Sequence, residues 1–449
     1  MARVVVVGGG FGGLASAARL AKQGHAVTLV ERSPTLGGAL ATVRATAAAG
    51  DFVWDAGPHA TLLPAVVRDL FRKTGRPVEK ELELEPLPSI REHRFEDGSR
   101  VVLTGGSRAA QIAAFDGLGA GLGRAWADHV AGFADDWEVI RRGYLEVPWD
   151  RHHLPRELSA RLLRRQNLHQ RLRRDLGDER LRLVAGHRFV AEGHDLRNVP
   201  SWLGVASYVE QRFGAWTVPG GMAGLAVAME RRLATRRVTV LTSTTARDLV
   251  LRGGRVAAVA TDAGELDADV VVVAVDPRRL PALAPHVART MPAIPPVVTH
   301  VGLGDPDGTL ADLGPEVVLH GDPLLVLRTG GVAPPGHVAW TVHGRGRLAE
   351  DVLRALARHR VDVRDRVLVR LDRSPRDLVE EWGGSPLGVL WQGRATLRRR
   401  LGPDTPVPGV YAAGAHATPG AGLPFVGLSA ALVAQVVGPA ERGGAPGAD

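Results

Sequence analysis

The sequence predicts an α/β fold, with one domain built on a parallel sheet from discontinuous segments and a second of mixed sheet and helices. Three observations carry this. Residues 3–7 form a β-branched run that passes through Gly8-Gly9-Gly10-Phe11-Gly12-Gly13 into an Ala/Leu-rich helix at 14–23, closed by Gly24. Ala26–Val30 then supplies a second strand, completing a β-α-β unit with short connections. After a long helical middle, strand patterns return at 238–275 and again at 409–413.

The remaining elements follow in order. Residues 76–104 read as strands and turns, with a strand at Arg100–Leu103 after the Asp97-Gly98 turn, and 107–182 are mostly helical. Leu158, Leu162, Leu172 and Leu176 recur among arginines, so this basic amphipathic stretch suits either a membrane surface or a packed helix face. Residues 224–233 predict a helix. Short strands follow at Val238–Leu241, Ala246–Val250 and Val256–Thr261, with a Gly253-Gly254 turn, and a buried strand at Asp269–Val275 ends at Asp276-Pro277. Residues 286–345 read as short strands among Pro/Gly loops and Glu350–His359 as a helix. The last strand, Gly409–Ala413, leads through a Gly-rich turn into a helix from about Gly427 to Val437, and the tail from Glu441 to Asp449 is expected to fray.

Composition narrows the classes. The chain has 449 residues, 45% hydrophobic and 23% charged, which suits a globular protein of two or three domains. It has no cysteine, which excludes disulfide scaffolds, thiolate nucleophiles and iron–sulfur clusters. The net charge of +8 comes almost wholly from arginine, lysine occurring only at Lys22, Lys73 and Lys80. The most basic stretch, 151–182, lacks the interleaved aromatics of a nucleic-acid site, so no nucleic-acid partner is expected. The amino terminus enters Val4–Val7 directly and no apolar run approaches the ~18 residues of a membrane span, so a cytoplasmic protein is expected.

The glycine run fits G-x-G-x-x-G between a strand and a helix, where the motif has physical meaning. Gly8 permits the turn, Gly10 lets a pyrophosphate approach the backbone, and Gly13 lets helix and strand pack closely. Glu31 ends the second strand, where a carboxylate accepts ribose hydroxyls and repels a 2′-phosphate. These features predict binding of an ADP-containing dinucleotide. Three more features point to one longer than a single β-α-β unit: Gly37-Gly38 after Glu31, the turn Trp54-Asp55-Ala56-Gly57-Pro58-His59, and the carboxyl-terminal segment Gly409 to Pro424.

With these motifs the chain resembles the phytoene desaturase-like branch of the FAD-dependent amine oxidase superfamily. The resemblance rests on the dinucleotide glycines, the Gly-Gly pair, the Asp-x-Gly-Pro turn, Val218-Pro219-Gly220-Gly221-Met222 and Pro419-Gly420-Ala421-Gly422-Leu423-Pro424. It implies a Rossmann-type FAD-binding domain from residues 1–75, 215–285 and 395–449. The substrate domain would comprise 76–214 and 286–394, with 107–210 largely helical. It further implies that Gly8, Gly10, Phe11, Gly12 and Gly13 face the pyrophosphate and Glu31 the ribose, with Arg32, Gly37 and Gly38 along the dinucleotide. Ala246 would present its backbone to adenine. Gly414, Ala415 and the turn through Gly422, Leu423, Pro424, Phe425 and Val426 would run past the flavin.

Two departures matter. Ala39 stands where relatives often carry arginine, leaving the phosphate contact to Arg32 or Arg44; Phe425 replaces a glycine and is expected to narrow the pocket beside the flavin. The activity implied is dehydrogenation of a hydrophobic, polyene or isoprenoid-like small molecule by hydride transfer to flavin N5, with oxygen or another acceptor taking the electrons. A flavin amine oxidase, kept open by Phe425 and Tyr411, is the alternative, beside an isomerase or cyclase without net redox and a flavin-binding protein without chemistry.

His59 and His416 fall near the expected flavin and are the candidates for proton chemistry. No metal is expected, because His152-His153 are adjacent and lack a third ligand. Ser429 in Gly427-Leu428-Ser429-Ala430-Ala431 lacks the second glycine of a nucleophile elbow. Trp126, Trp137, Trp149, Trp202 and Trp216 are open to tunnel-lining and core roles.

Overall fold

The computed structural model describes residues 1–150, 152–310 and 312–441; the expectation for the tail falls largely on 442–449, outside them. Strand β1 (Arg3–Val7) pairs in parallel with β2 (Ala26–Val30) on one side and with Val270–Val273 on the other. Thr239–Leu241 and Val410–Ala412 close the two edges, giving a five-stranded, all-parallel sheet. Its valine run is continuous because both faces are buried. Val4 and Val6 pack into the cluster holding helix α1 (Phe11–Lys22), while Val5 and Val7 pack into the one under the three-stranded sheet Ala246–Arg252, Arg255–Thr261 and Gly264–Asp267.

The second layer is a seven-stranded sheet ordered Val367–Arg373, Val297–Gly304, His337–Arg345, Leu324–Gly331, Glu316–Leu319, Arg91–Arg94, Arg100–Leu103. Only Glu316–Leu319 and Arg91–Arg94 run parallel. The sequence suggested short strands over 286–345, yet Val297–Gly304 has eight residues and His337–Arg345 nine. Polar residues such as His300 and Thr341 interrupt the apolar pattern but pair with each other inside the sheet, Nδ1 to Oγ1 at 2.9 Å. The hairpin Thr42–Ala47/Gly50–Asp55 links the layers: Trp54 donates its indole N–H to the Val301 carbonyl at 3.3 Å, and Val53 bridges Val332.

Between residues 108 and 213 most of the described chain is helical, as expected. The arginine-rich stretch is two helices, Arg156–Leu162 and Leu168–Asp175, the second opened by an Asn167–Gln170 capping box. Leu158, Leu162, Leu172 and Leu176 are all buried, so this apolar stripe faces the protein's own core. Among the described residues no helix is long and apolar enough to cross a membrane.

Two helices start earlier than expected. Helix α1 begins at Phe11 and the carboxyl-terminal helix, Leu423–Val437, at Leu423 instead of Gly427. Pro424 lies in the first turn, where its missing N–H costs nothing, and Gly422 takes φ +101 at the cap. In α1, Gly12 and Gly13 are helical because the helix must sit against bare backbone: a Cβ on Gly13 would lie 1.8 Å from the Gly8 carbonyl oxygen.

Nine histidines among the described residues are pushed down by burial, His359 and His416 among them. His59, His194, His300 and His320 are pushed down to about 4, and His93, His187 and His343 well below the usual range. Asp55 works the other way, burial raising it to about 6 against the N–H groups of Met222 and Ala223. The unfolded chain therefore binds more protons than the folded one between pH 6.5 and 4. Stability is full above about pH 6.5 and is lost as pH falls, at about 1.4 kcal/mol per pH unit for each proton taken up. Thermal unfolding followed by circular dichroism should show a plateau in Tm above pH 7 and a steep, multi-proton fall between pH 6 and 5.

Candidate functional site

The amino terminus of α1 is built to receive an anion. Gly10 is its cap, no side chain caps it, and no acidic residue stands in its first turn, so its free N–H groups and the helix dipole point outward. A Cβ on Gly10 would meet nothing within 4 Å, whereas Gly13 is pressed on Gly8; Gly13 thus serves packing and does not line the cavity. Gly37 donates to the Gly9 carbonyl at 2.9 Å, and Gly38, at φ +54, brings a bare Cα against Gly10.

Glu31 reaches back into this turn. Its Oε2 accepts from the Gly9 N–H at 2.6 Å and its Oε1 from the Ser33 N–H at 2.8 Å, so it braces the glycine loop as well as lining the cavity. Arg32 lines the cavity too and donates to the carbonyls of Glu380 and Glu381. Arg44 lies on the Thr42–Ala47 strand, away from the lining.

The carboxyl-terminal motif meets the same point. A Cβ on Gly12 would lie 2.9 Å from the Gly414 Cα, and the Gly414 N–H donates to Ser429 Oγ at 2.8 Å, which donates in turn to the Val426 carbonyl at 2.7 Å. Ser429 is therefore a clasp between the loop and the carboxyl-terminal helix. Gly414, Ala415, His416, Gly422, Leu423, Pro424 and Val426 line one cavity with Gly8, Gly10, Phe11, Gly12, Gly37 and Gly38.

Besides Gly13, two residues depart from the sequence reading. Ala246 does not line this cavity; it opens a strand packed over Val5 and Val30, and Thr244, two residues before it, donates its N–H to the Glu31 carbonyl at 2.9 Å. Phe425 does not narrow the main cavity either. Because the helix starts at Leu423, Gly422 and Val426 share the inner face and Phe425 is turned into a second, aromatic cavity of 60 Å³ beside Trp137, Tyr144, Trp202 and Trp391. Of the five tryptophans singled out, only Trp137 and Trp202 line it, while Trp126 stacks on Phe115 at 4.4 Å in the core. Tyr411 packs against the α1 cluster, away from the lining.

Asp55 joins two further motifs: its carboxylate accepts from the N–H groups of Met222 and Ala223, at the start of the helix Ala223–Thr235. The turn that follows presents Gly57, Pro58 and His59 to the cavity. Facing them is a charged wall that sequence reasoning missed. Glu316 accepts from Arg91 Nε at 2.9 Å and Arg328 Nε at 3.1 Å, with His59 Nε2 at 3.7 Å. Arg91 also grips Glu210 through both terminal nitrogens, at 3.0 and 2.9 Å. Burial alone would raise Glu316, but His59, Arg328 and Arg91 around it hold it well below the carboxylate range. His416, the other candidate, is buried. Its Nε2–H donates to the Ser385 carbonyl at 2.9 Å, leaving Nδ1 without a hydrogen-bond partner, 3.7 Å from Asp276 Oδ1.

The cavity measures 430 Å³, within the range of small-molecule and cofactor sites. An uncapped helix terminus, open space at Gly10 and a carboxylate at its edge fit the pyrophosphate and ribose of a dinucleotide, and the carboxyl-terminal segment extends the cleft. The profile of the family described as flavin containing amine oxidoreductase matches residues 11–326. The chain belongs to that family. It is an FAD-dependent oxidoreductase.

Hydroxyneurosporene desaturase of Cereibacter sphaeroides is 29% identical, the alignment covering 97% of each chain. The zeta-carotene-forming phytoene desaturase of Myxococcus xanthus is 31% identical over 61% of this chain and 53% of its own. Among solved structures, an oxidoreductase from Methanosarcina mazei superposes with TM-score 0.62 at 18% identity, covering 96% of this chain and 100% of that one. Putrescine oxidase bound to putrescine gives 0.65 at 16%, covering 97% and 98%. These two likenesses establish the shared fold.

The two glycine positions separate cofactor binding from folding. Gly13→Ala should cost about 3 kcal/mol or more of stability in urea denaturation, since backbone must move. Gly10→Ala should unfold within about 1 kcal/mol of the parent, yet retain FAD about tenfold or more weakly by fluorescence titration.

Proposed function

We propose that the enzyme dehydrogenates an apolar isoprenoid polyene, introducing a C=C bond. The end-to-end similarity to hydroxyneurosporene desaturase carries this reading. The aromatic cavity supports it, since it meets the main cavity at Leu62, Leu387, Ala421 and Pro424, with the mutually paired Arg188 and Glu192 also at the junction, and so offers an apolar chain a continuation past the reaction site. We assign FAD to the cleft between Gly8–Gly12, Glu31–Arg32, Gly37–Gly38 and Gly414–Val426. Bound there, it supplies a two-electron acceptor, which oxygen or another oxidant regenerates.

The protein's own part is to orient the chain, exclude water and take a proton. His59 is the group we assign to the last task. Burial, and next the Arg328 charge, hold it neutral with a value near 4, so its ring accepts a proton at physiological pH, and Glu316 at 3.7 Å stabilises the imidazolium. Uptake is uphill in so dry a site and becomes feasible only as a carbon-bound proton is released. His416 we assign to positioning, tying the loop after Gly414 to Ser385. Apolar chains of this kind reside in membranes, and we place any peripheral membrane contact on the exposed arginines 164, 165, 173 and 174.

Anaerobic mixing of the FAD-loaded enzyme with an acyclic polyene should bleach the flavin absorbance and yield a product with one more conjugated double bond. Bleaching by primary amines alone would replace this reading with amine oxidation. His59→Gln should keep FAD and lower the bleaching rate about 100-fold. In the parent enzyme kcat/KM should stay flat between pH 5.5 and 8, without the inflection near 6.5 of an ordinary histidine.

A further inference from the structure

We propose that the aromatic cavity is a subsite for a carboxylate at the end of the substrate's chain, with Arg400 its counter-ion and Trp202 a further donor; this rests on the isoprenoid reading above. A cavity that only prolonged a hydrocarbon tunnel would have its polar atoms paired elsewhere. This one does not. Its wall carries a buried arginine, Arg400, that has no carboxylate within ion-pair distance among the described residues.

Arg400 donates from Nη1 to the Pro419 carbonyl at 3.1 Å and from Nη2 to the Val389 carbonyl at 2.8 Å, and its guanidinium lies over the Trp391 ring at 4.4 Å. These contacts place the group without cancelling its charge, and burial pushes it down to about 10. Its Nε–H is buried with no partner. The other charges on the cavity answer each other: Glu192 accepts from Arg188 Nε at 3.1 Å and faces His194 Nε2 at 3.8 Å. His194 takes the Trp391 backbone N–H on Nδ1, so Nε2 carries its proton. Trp202, packed on the same Trp391 with 5.9 Å between rings, brings a second buried donor without a partner, its indole N–H. Tyr144 stands beside it and keeps its hydroxyl proton, burial pushing it up to about 12.

The unmet groups are thus one positive charge and two N–H donors. Arg400 repels an ammonium group, and a hydrocarbon end leaves the charge unanswered. A hydroxyl group or a water satisfies an N–H and cancels no charge. A carboxylate does both, because it only accepts and it closes an ion pair where little water screens it. The 60 Å³ of this cavity is about four waters' worth of space, room for an end group but not for a second length of chain. An end anchored there also sets how far the chain reaches back into the main cavity, and so which bond lies beside His59.

The test titrates an acyclic isoprenoid polyenoic acid, its methyl ester and the hydrocarbon of the same skeleton, each in detergent micelles, into FAD-loaded enzyme. Binding is read from quenching of tryptophan fluorescence, since Trp137, Trp202 and Trp391 line the cavity, and turnover from anaerobic bleaching. The acid should bind about tenfold or more tightly than its ester, the worth of one hydrogen bond to a charged group. Arg400→Gln should bring the acid down to the ester's affinity and leave the ester's unchanged. Trp202→Phe removes only an unpartnered N–H, so it should fold as the parent does and lose part of the acid's advantage, at least severalfold. Equal binding of acid and ester by the parent enzyme overturns the proposal, and bleaching by the hydrocarbon then leaves dehydrogenation standing. An acid preference untouched by either substitution overturns it as well; where Arg400→Gln fails to fold, Trp202→Phe decides alone. Preferential binding of the acid without bleaching by any of the three sinks dehydrogenation and retains the carboxylate subsite.

Discussion

The structure depends on backbone meeting backbone where no side chain is allowed. At Gly13 helix α1 is seated on the Gly8 carbonyl, at Gly12 it touches the Gly414 Cα, and at Gly38 a third segment lies on Gly10. Three segments, the last just over four hundred residues away, thereby converge on one helix terminus. The gain is electrostatic: the closer the chains approach, the more undiluted the partial positive charge of the uncapped N–H groups, and the less water screens it. Ser429 and Glu31 then fasten what the glycines only permit, by giving the N–H groups of Gly414 and Gly9 acceptors.

Such a cleft is legible in sequence because its determinants are local. A strand, a glycine turn, a helix and an acid at the end of the next strand lie within 29 residues and are tied by short-range geometry. Helix phase was harder. Shifting the start of the last helix from Gly427 to Leu423 rotates each side chain by about 100° per residue, and that rotation sends Phe425 to the aromatic cavity and Val426 to the main one. The cue was Pro424, which marks a first helical turn more often than an interruption.

The polar wall left no signature to find. Arg91, His187, Glu210, Glu316, Arg328 and His343 come from six separate segments, and their spacing obeys no period. They meet because Arg91–Arg94 pairs in parallel with Glu316–Leu319, and because Leu324–Gly331 folds back between that strand and His337–Arg345. Such pairing is fixed by the packing of whole strands, which a single sequence does not encode in local pattern. In the sequence these residues look like ordinary surface charges.

A buried ion network is weak evidence for stability, because removing two charges from water costs about what their attraction returns. Its presence beside a cavity asks for another explanation. Arg91 and Arg328 hold Glu316 ionised, and burial together with the same guanidinium charges holds His59 neutral. An ionised carboxylate beside an uncharged imidazole is the arrangement that lets a proton arrive on His59 and be stabilised once there. Without the arginines Glu316 would compete for that proton; without Glu316 the arginines would repel it. The network therefore fixes protonation states rather than adding cohesion, and the protein carries its cost as histidines that acid will charge.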